Sequence, residues 1–163
     1  MEKGLIQVYS GEGHGKSAAA LGRAIQMASM GRDVVIINFL KSYQNEAFLK
    51  RMEPEIKIFR FEKSEEEFAQ LSDKRKQEEI YNIKNGLNFA KKVLVTEECD
   101  VLILDEILGL TEKGIVTIDE LRGLIDAVGE DTELLLTGNC RCEELWPYVD
   151  EVTELTTPFK KYD

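Results

Sequence analysis

Leu5-Ile6-Gln7-Val8-Tyr9-Ser10-Gly11-Glu12-Gly13-His14-Gly15-Lys16-Ser17-Ala18-Ala19-Ala20-Leu21-Gly22 is the stretch on which the fold turns. Leu5 to Tyr9 reads as a short strand. Ser17 to Met30, rich in Ala, Leu and Met and ended by Gly31, reads as a helix. Between them stand glycines at alternate positions and the end Gly15-Lys16-Ser17. A glycine-rich turn between strand and helix lets backbone N–H groups point at phosphates, and the helix N-terminus adds partial positive charge. The nucleotide-binding stretch is therefore Ser10, Gly11, Glu12, Gly13, His14, Gly15, Lys16, Ser17 and Ala18, with Lys16 as a point charge on the phosphates and Ser17 as a hydroxyl ligand for Mg2+ or Mn2+. The strict pattern G-x-x-x-x-G-K-[ST] begins with glycine, and Ser10 stands there. For His14, contact with a phosphate and exposure to solvent are both open. The competing dinucleotide pattern G-x-G-x-x-A is also met by Gly13 to Ala18. The second strand, however, ends near Asn38, where that fold wants a ribose-binding acid.

Outward from the loop, strand and helix alternate. Val34 to Leu40 is nearly all apolar, as a strand covered on both faces should be. Glu46 to Met52 predicts a short helix closed before Pro54, and Ile56 to Phe61 a third strand. The polar run Glu62 to Glu79 reads as an exposed loop leading into a helix. Ile80, Ile83, Leu87, Ala90 and Leu94 recur at helical spacing, predicting a long amphipathic helix over 73–96. Val101 to Leu104 is a buried strand. Thr117 and Glu120 form a capping box before the apolar stripe Leu121, Leu124, Ile125 and Val128. Leu134 to Thr137 and Val149 to Leu155 complete the strands. The alternation predicts an α/β three-layer sandwich with a mostly parallel central sheet, P-loop NTPase-like (RecA-like), as one nucleotide-binding domain over 1–163.

The second chemical signal is Val101-Leu102-Ile103-Leu104-Asp105-Glu106. The apolar run delivers both carboxylates to the C-terminal edge of a buried strand, where ligands bind in open α/β sheets. With Ser17, Asp105 and Glu106 form the expected metal set, and Lys16 and Glu106 the expected catalytic pair.

Composition narrows the partners. The 163 residues are 43% hydrophobic and 32% charged, with net charge −10. So acidic a chain lacks the basic face that a nucleic-acid backbone requires. No apolar run is long enough to span a membrane, and MEKGLIQVYS is no secretory signal. Three cysteines, Cys99, Cys140 and Cys142, read as free thiols in a reducing cytoplasm. A C-x-C spacing without a fourth ligand argues against a metal. A second copy of the chain is the macromolecular partner left open.

Leu5 to Lys41 resembles the opening of the ATP:corrinoid adenosyltransferases, which read Y-T-G-N-G-K-G-K-T-T-A-A-L-G followed by a strand ending in Q-F-x-K-G. The likeness continues at Glu46, Phe48 to Met52, Asp100 to Glu106, Thr137-Gly138 and Asp150 to Glu154, so it covers essentially the whole chain. It implies that Co(I) of a corrinoid attacks C5′ of ATP and that triphosphate leaves, with ATP lying across the loop in the reverse of the usual direction. It also implies that Gly11, Gly13, Gly15 and Lys16 cradle the phosphates. Gln26 and Asn139 stand where the family carries Arg, and an Arg at either would be a positive fork toward a departing polyphosphate. Phe61 to Phe68 takes the place of the aromatic loop near the corrinoid. Two function classes follow: the adenosyltransferase itself, and a nucleotide-binding paralogue without adenosyl transfer.

Overall fold

A computed structural model describes residues 4–12, 15–39, 46–62 and 66–162, with Glu46 described by its backbone alone. The strands are β1 (Ile6–Ser10), β2 (Val34–Asn38), β3 (Ile56–Arg60), β4 (Val101–Asp105), β5 (Glu133–Gly138) and β6 (Glu151–Glu154). The helices are α1 (Lys16–Ser29), α2 (Glu46–Leu49), α3 (Asp73–Val95), α4 (Ile107–Glu112) and α5 (Ile118–Asp126). Strand order is β3-β2-β4-β5-β1-β6, and every pairing is parallel. This is the RecA-like α/β fold of P-loop NTPases.

The apolar runs sort themselves by the two-residue period of a strand. Val35, Ile37, Leu102, Leu104, Leu134 and Leu136 pack on the face covered by α3, α4 and α5. Val34, Ile36, Val101, Ile103 and Leu135 pack on the other face, against Ala20, Ala24 and Met27 of α1. Alternate residues of one strand thus serve two cores, which is why these strands read as continuous hydrophobic runs. Among the described residues no helix is long and apolar enough to cross a membrane.

Most boundaries shift by a residue or two. α1 begins at Lys16 rather than Ser17, and β2 ends at Asn38; Leu40 lies outside the described residues. The run Glu62 to Glu79 leads into α3 at Asp73, as expected, but it is not exposed throughout. Ser72 caps α3 by accepting a hydrogen bond from the Arg75 N–H (3.3 Å), and Glu79, inside the helix, is buried. α4 and a 3-10 turn over Glu143–Tyr148 are elements that periodicity did not predict.

The predicted capping box is present: Thr117 Oγ1 accepts from Glu120 N–H (3.1 Å), and Thr117 N–H donates to Glu120 Oε1 (3.0 Å). The same carboxylate receives Lys84 Nζ of α3 at 2.7 and 2.8 Å, and Lys84 also donates to the Ile115 carbonyl (2.8 Å). Burial pushes the Glu120 carboxyl upward, but the bonds from Lys84 and Thr117 outweigh it, so its pKa lies below the ordinary value. The stabilisation this lends is complete above the ordinary carboxyl range and is lost as pH falls through the lowered value. Glu120→Gln keeps the cap and removes the charge. It should cost about 0.5–1 kcal/mol near neutral pH, since the pair is a third exposed. Urea unfolding at a series of pH values should show that gap closing under acid; a gap independent of pH would mean the charge contributes nothing.

Candidate nucleotide site

β1 ends at Ser10 and α1 starts at Lys16, so the glycine-rich loop leaves the C-terminal edge of the sheet and returns as a helix. Gly11 and Gly15 make that turn feasible. Both have positive φ, +116° and +104°. A Cβ on Gly11 would lie 2.2 Å from the Leu155 carbonyl oxygen, which no side chain tolerates. Leu155 N–H in turn donates to the Ser10 carbonyl (2.8 Å), so the residue after β6 buttresses the loop.

The N-terminus of α1 differs from those of α3 and α5. Ser72 and Thr117 cap the latter two, and acids occupy their first turns. α1 has Gly15 at its cap position, no side-chain cap and no acid in its first turn. Its start therefore carries neither a side-chain cap nor an acid that would compete with an outside anion. The Ser10 hydroxyl is wholly buried, with no hydrogen-bond partner among the described residues.

The sheet brings the second motif to the same place. Leu104 of β4 lies beside Leu136 of β5, and Ser10 of β1 beside Gly138. Asp105 and Thr137 therefore share the edge with the loop. Asp105, 8% exposed, accepts from the Ser17 hydroxyl at 2.9 and 3.1 Å. It also accepts from Thr137 Oγ1 (2.7 Å), which is fully buried. Thr137 Oγ1 is at the same time the acceptor for Glu106 N–H (2.8 Å). Glu106 sits in a left-handed turn (φ 65°), which starts α4. Burial, then the neighbouring Asp105 charge, push the Glu106 carboxyl upward, while Lys16 and Lys113 pull it back.

Of the predicted residues, Ser10, Gly11, Gly15, Lys16, Ser17, Asp105 and Glu106 meet at this edge. Lys16 is buried. Glu12 is exposed, and Ala18 is exposed in the first turn of α1. Gly13 and His14 lie outside the described residues. Ser17, Asp105 and Glu106 supply hard oxygen donors, the chemistry Mg2+ prefers. The Asp105 charge is met by neutral hydroxyls, which fits a site completed by a cation. Asn139 lies exposed just past β5, at the site's rim. Gln26 does not share that position. It is exposed about 15 Å along α1 from Lys16, so an Arg there would not reach the phosphate loop.

Thr137 is the residue that motif reading missed. A threonine at the end of an apolar strand looks like any β-former. Only the register, Asp105 beside Thr137, would have given it away. The Phe61–Phe68 stretch borders α4. Phe61 packs on Phe89 (ring centroids 5.6 Å apart), and Glu62, Phe68, Leu71, Glu79, Leu110 and Lys113 line a small cleft. Residues 63–65 lie outside the described residues. Cys99 precedes β4 while Cys140 and Cys142 follow β5, so the three thiols stand at opposite ends of the sheet. Among the described residues, no three His, Cys, Asp or Glu side chains group as metal ligands.

Comparison with known proteins adds the family. The model of the family described as "ATP:corrinoid adenosyltransferase BtuR/CobO/CobP" matches residues 2–163. A corrinoid adenosyltransferase of Pseudomonas aeruginosa is 26% identical over 158 residues, covering 95% of this chain and 76% of that protein. One of Escherichia coli is 23% identical over 157 residues, covering 94% and 77%. In three dimensions the chain is similar to a KaiC-like protein of Pyrococcus horikoshii, with TM-score 0.61 and 16% identity over 96% of this chain and 74% of the other.

The buried Thr137 hydroxyl yields a direct expectation. Thr137→Val keeps the shape but leaves Asp105 and the Glu106 N–H each short of a partner. It should lower stability by about 1–3 kcal/mol, and Thr137→Ser should recover most of that. Thermal and urea unfolding of both variants decide it; a Val variant as stable as wild type would mean the two hydrogen bonds are dispensable.

Proposed function

The chain belongs to the ATP:corrinoid adenosyltransferase family, a family of transferases, and from that premise we propose that it transfers the 5′-deoxyadenosyl group of ATP to Co(I) of a corrinoid in cobalamin biosynthesis or salvage. The observation that carries this reading is the meeting of Ser17 and Asp105, at 2.9 Å, beside the uncapped start of α1. That arrangement is suited to a metal-bound polyphosphate.

The reaction needs little covalent help from the protein. Co(I) brings the electron pair that forms the cobalt–carbon bond. The C5′–O5′ bond breaks, and its pair leaves on the triphosphate oxygen. The protein's work is to hold the triphosphate and offset its charge as it departs. Backbone N–H groups of the Gly11 to Gly15 loop and the α1 N-terminus bind the phosphates, with the buried Ser10 hydroxyl as a further donor beneath them. Lys16 places its ammonium against the charge that grows on the leaving group. Ser17, Asp105 and Glu106 would hold Mg2+ or Mn2+, which supplies further charge neutralisation to the triphosphate. Glu106, with its pKa raised by burial and Asp105, is a carboxyl whose ionised form gains most from a nearby cation.

The reading puts the enzyme in the cytoplasm as one domain acting on small molecules, without nucleic acid or membrane, alone or as a homodimer. A second reading, a nucleotide-binding paralogue without transfer, is favoured by Asn139: it sits exposed at the site's rim where the family carries Arg.

Three measurements test this. Lys16→Ala should weaken Mg-ATP binding about ten-fold or more, the loss of a charge-assisted bond of about 1.5–3 kcal/mol; equal affinities by calorimetry would remove Lys16 from the site. Asp105→Asn should weaken metal-dependent nucleotide binding and spare binding without metal. For the transfer itself, protein, Mg-ATP and chemically reduced corrinoid are mixed without oxygen, and the cobalt spectrum and free triphosphate are followed together. Both alkyl-cobalt and triphosphate should appear in equal amounts, faster in Asn139→Arg. Intact ATP binding with no product in either protein would favour the paralogue.

A further inference from the structure

Cys140 and Cys142 flank one residue in the loop after β5, and their sulfurs lie 2.8 Å apart. Ordinary non-bonded contact is ~3.5–4.0 Å. Two thiolates sharing one tetrahedral zinc at ~2.3 Å would stand ~3.8 Å apart. A disulfide is ~2.05 Å. The gap therefore suits bond formation between the sulfurs rather than joint ligation of a metal.

The fold holds this geometry in place. The Arg141 carbonyl, between the two cysteines, accepts from Trp146 Nε1 (2.9 Å), and the Arg141 guanidinium lies over the Trp146 ring, 5.1 Å from its centroid. Arg141 also pairs with Glu143 (3.4 Å) and with Glu154 of β6 (3.2 Å). Cys142 takes a left-handed conformation (φ 47°, ψ 51°), uncommon for a residue with a side chain. Its sulfur touches Thr111 Oγ1 of α4 (3.2 Å). Burial, then the hydrogen bond with Cys140, push the Cys142 thiol up to about 12. Half-buried Cys140 is thus the sulfur open to a reagent.

We propose that Cys140 and Cys142 close a reversible disulfide by exchange with a small oxidised disulfide, and that closure weakens nucleotide binding at the neighbouring loop. The Cys140 thiolate attacks one sulfur of the small disulfide, whose S–S bond breaks to release one small thiol. Cys142, giving up its proton, attacks the Cys140 sulfur and releases the second small thiol. Two electrons and two protons pass to the small thiols, and the chain gains one S–S bond. A ring around a single residue removes little chain entropy, so it is no structural staple; it belongs with the labile, regulatory disulfides. The route to the loop is short. Arg141 holds Glu154, Glu154 pairs in register with Ser10, and Leu155 is bonded to Ser10 over Gly11. This second half rests on the nucleotide site proposed above.

The chain carries its own reporter, since Trp146 is its single tryptophan. Reduced protein is equilibrated with glutathione buffers of rising oxidised fraction, quenched in acid, alkylated and weighed intact. Trypsin cuts after Arg141, so peptides Gly123–Arg141 and Cys142–Lys160 stay joined only through the disulfide. The expected result is loss of two hydrogen masses, joined peptides, a fall in Trp146 fluorescence reversed by dithiothreitol, and a Mg-ATP dissociation constant raised several-fold. Cys140→Ser should show none of these, with ATP affinity equal to that of the reduced protein. A stable glutathione adduct on Cys140 without ring closure, or closure no easier in the folded chain than in urea, would overturn the disulfide. Closure with unchanged ATP affinity would overturn the coupling. Reduced protein that binds no ATP would sink the nucleotide reading, while the mass measurement would still judge the disulfide.

Discussion

The buried Asp105 carboxylate is the constraint around which the site is arranged. A buried charge must find partners, and Asp105 finds neutral ones. Ser17 comes from the first turn of α1, Thr137 from the end of β5, and Asp105 itself ends β4. One carboxylate therefore fixes the distance between helix, strand and loop. Hydroxyls satisfy its lone pairs without cancelling its charge. A lysine or arginine in their place would have closed the site as a salt bridge. Left with hydroxyls, Asp105 keeps a negative field at the loop, and Glu106 is pushed upward by it after burial. A hard cation would relieve both.

The strand order makes this meeting unavoidable. Between β1 and β2 the chain crosses over α1, and β4 and β5 later fill the gap, so the loop after β1 faces the ends of both. β6 closes the other side. The Asp150 carboxylate accepts from Ile6 N–H (2.8 Å), and Leu155 N–H donates to Ser10 (2.8 Å). The end of the sheet's last strand thus supports the start of its first loop. This explains why Gly11 has no room for a side chain: the Leu155 carbonyl occupies that space. The turn at Gly11 is held by tertiary contact as well as by the glycine itself.

The layered α/β fold was legible because strands buried on both faces leave long apolar runs, and because Thr117 and Glu120 announce a helix start locally. The loop and Asp105 were legible because their chemistry lies in consecutive residues. What escaped reading depends on contacts distant in sequence. α4 begins at a left-handed Glu106 and lasts six residues, too few for a helical period to emerge. The 3-10 turn over Glu143–Tyr148 contains Pro147, which reads as a breaker. Thr137 matters only through its register with Asp105. Gln26 is the opposite case: it matches a family position by sequence alone, while the rise of α1 carries it away from the loop.

Net charge and local field point in opposite directions here, and the structure reconciles them. By net charge alone, a chain of −10 is ill suited to a polyphosphate. Yet charges separated by more than ~8 Å of salt water are largely screened, so only the acids near the loop count. The chain uses acids where they stabilise its own helices: Asp73 in the first turn of α3, Asp119 and Glu120 in that of α5. α1 alone among the longer helices has neither acid nor cap at its start. Its N–H groups and the buried Lys16 form a positive spot, while Asp105 lies one hydrogen bond away through Ser17. Positive donors on one side and carboxylates on the other suit an anion that arrives with its own cation.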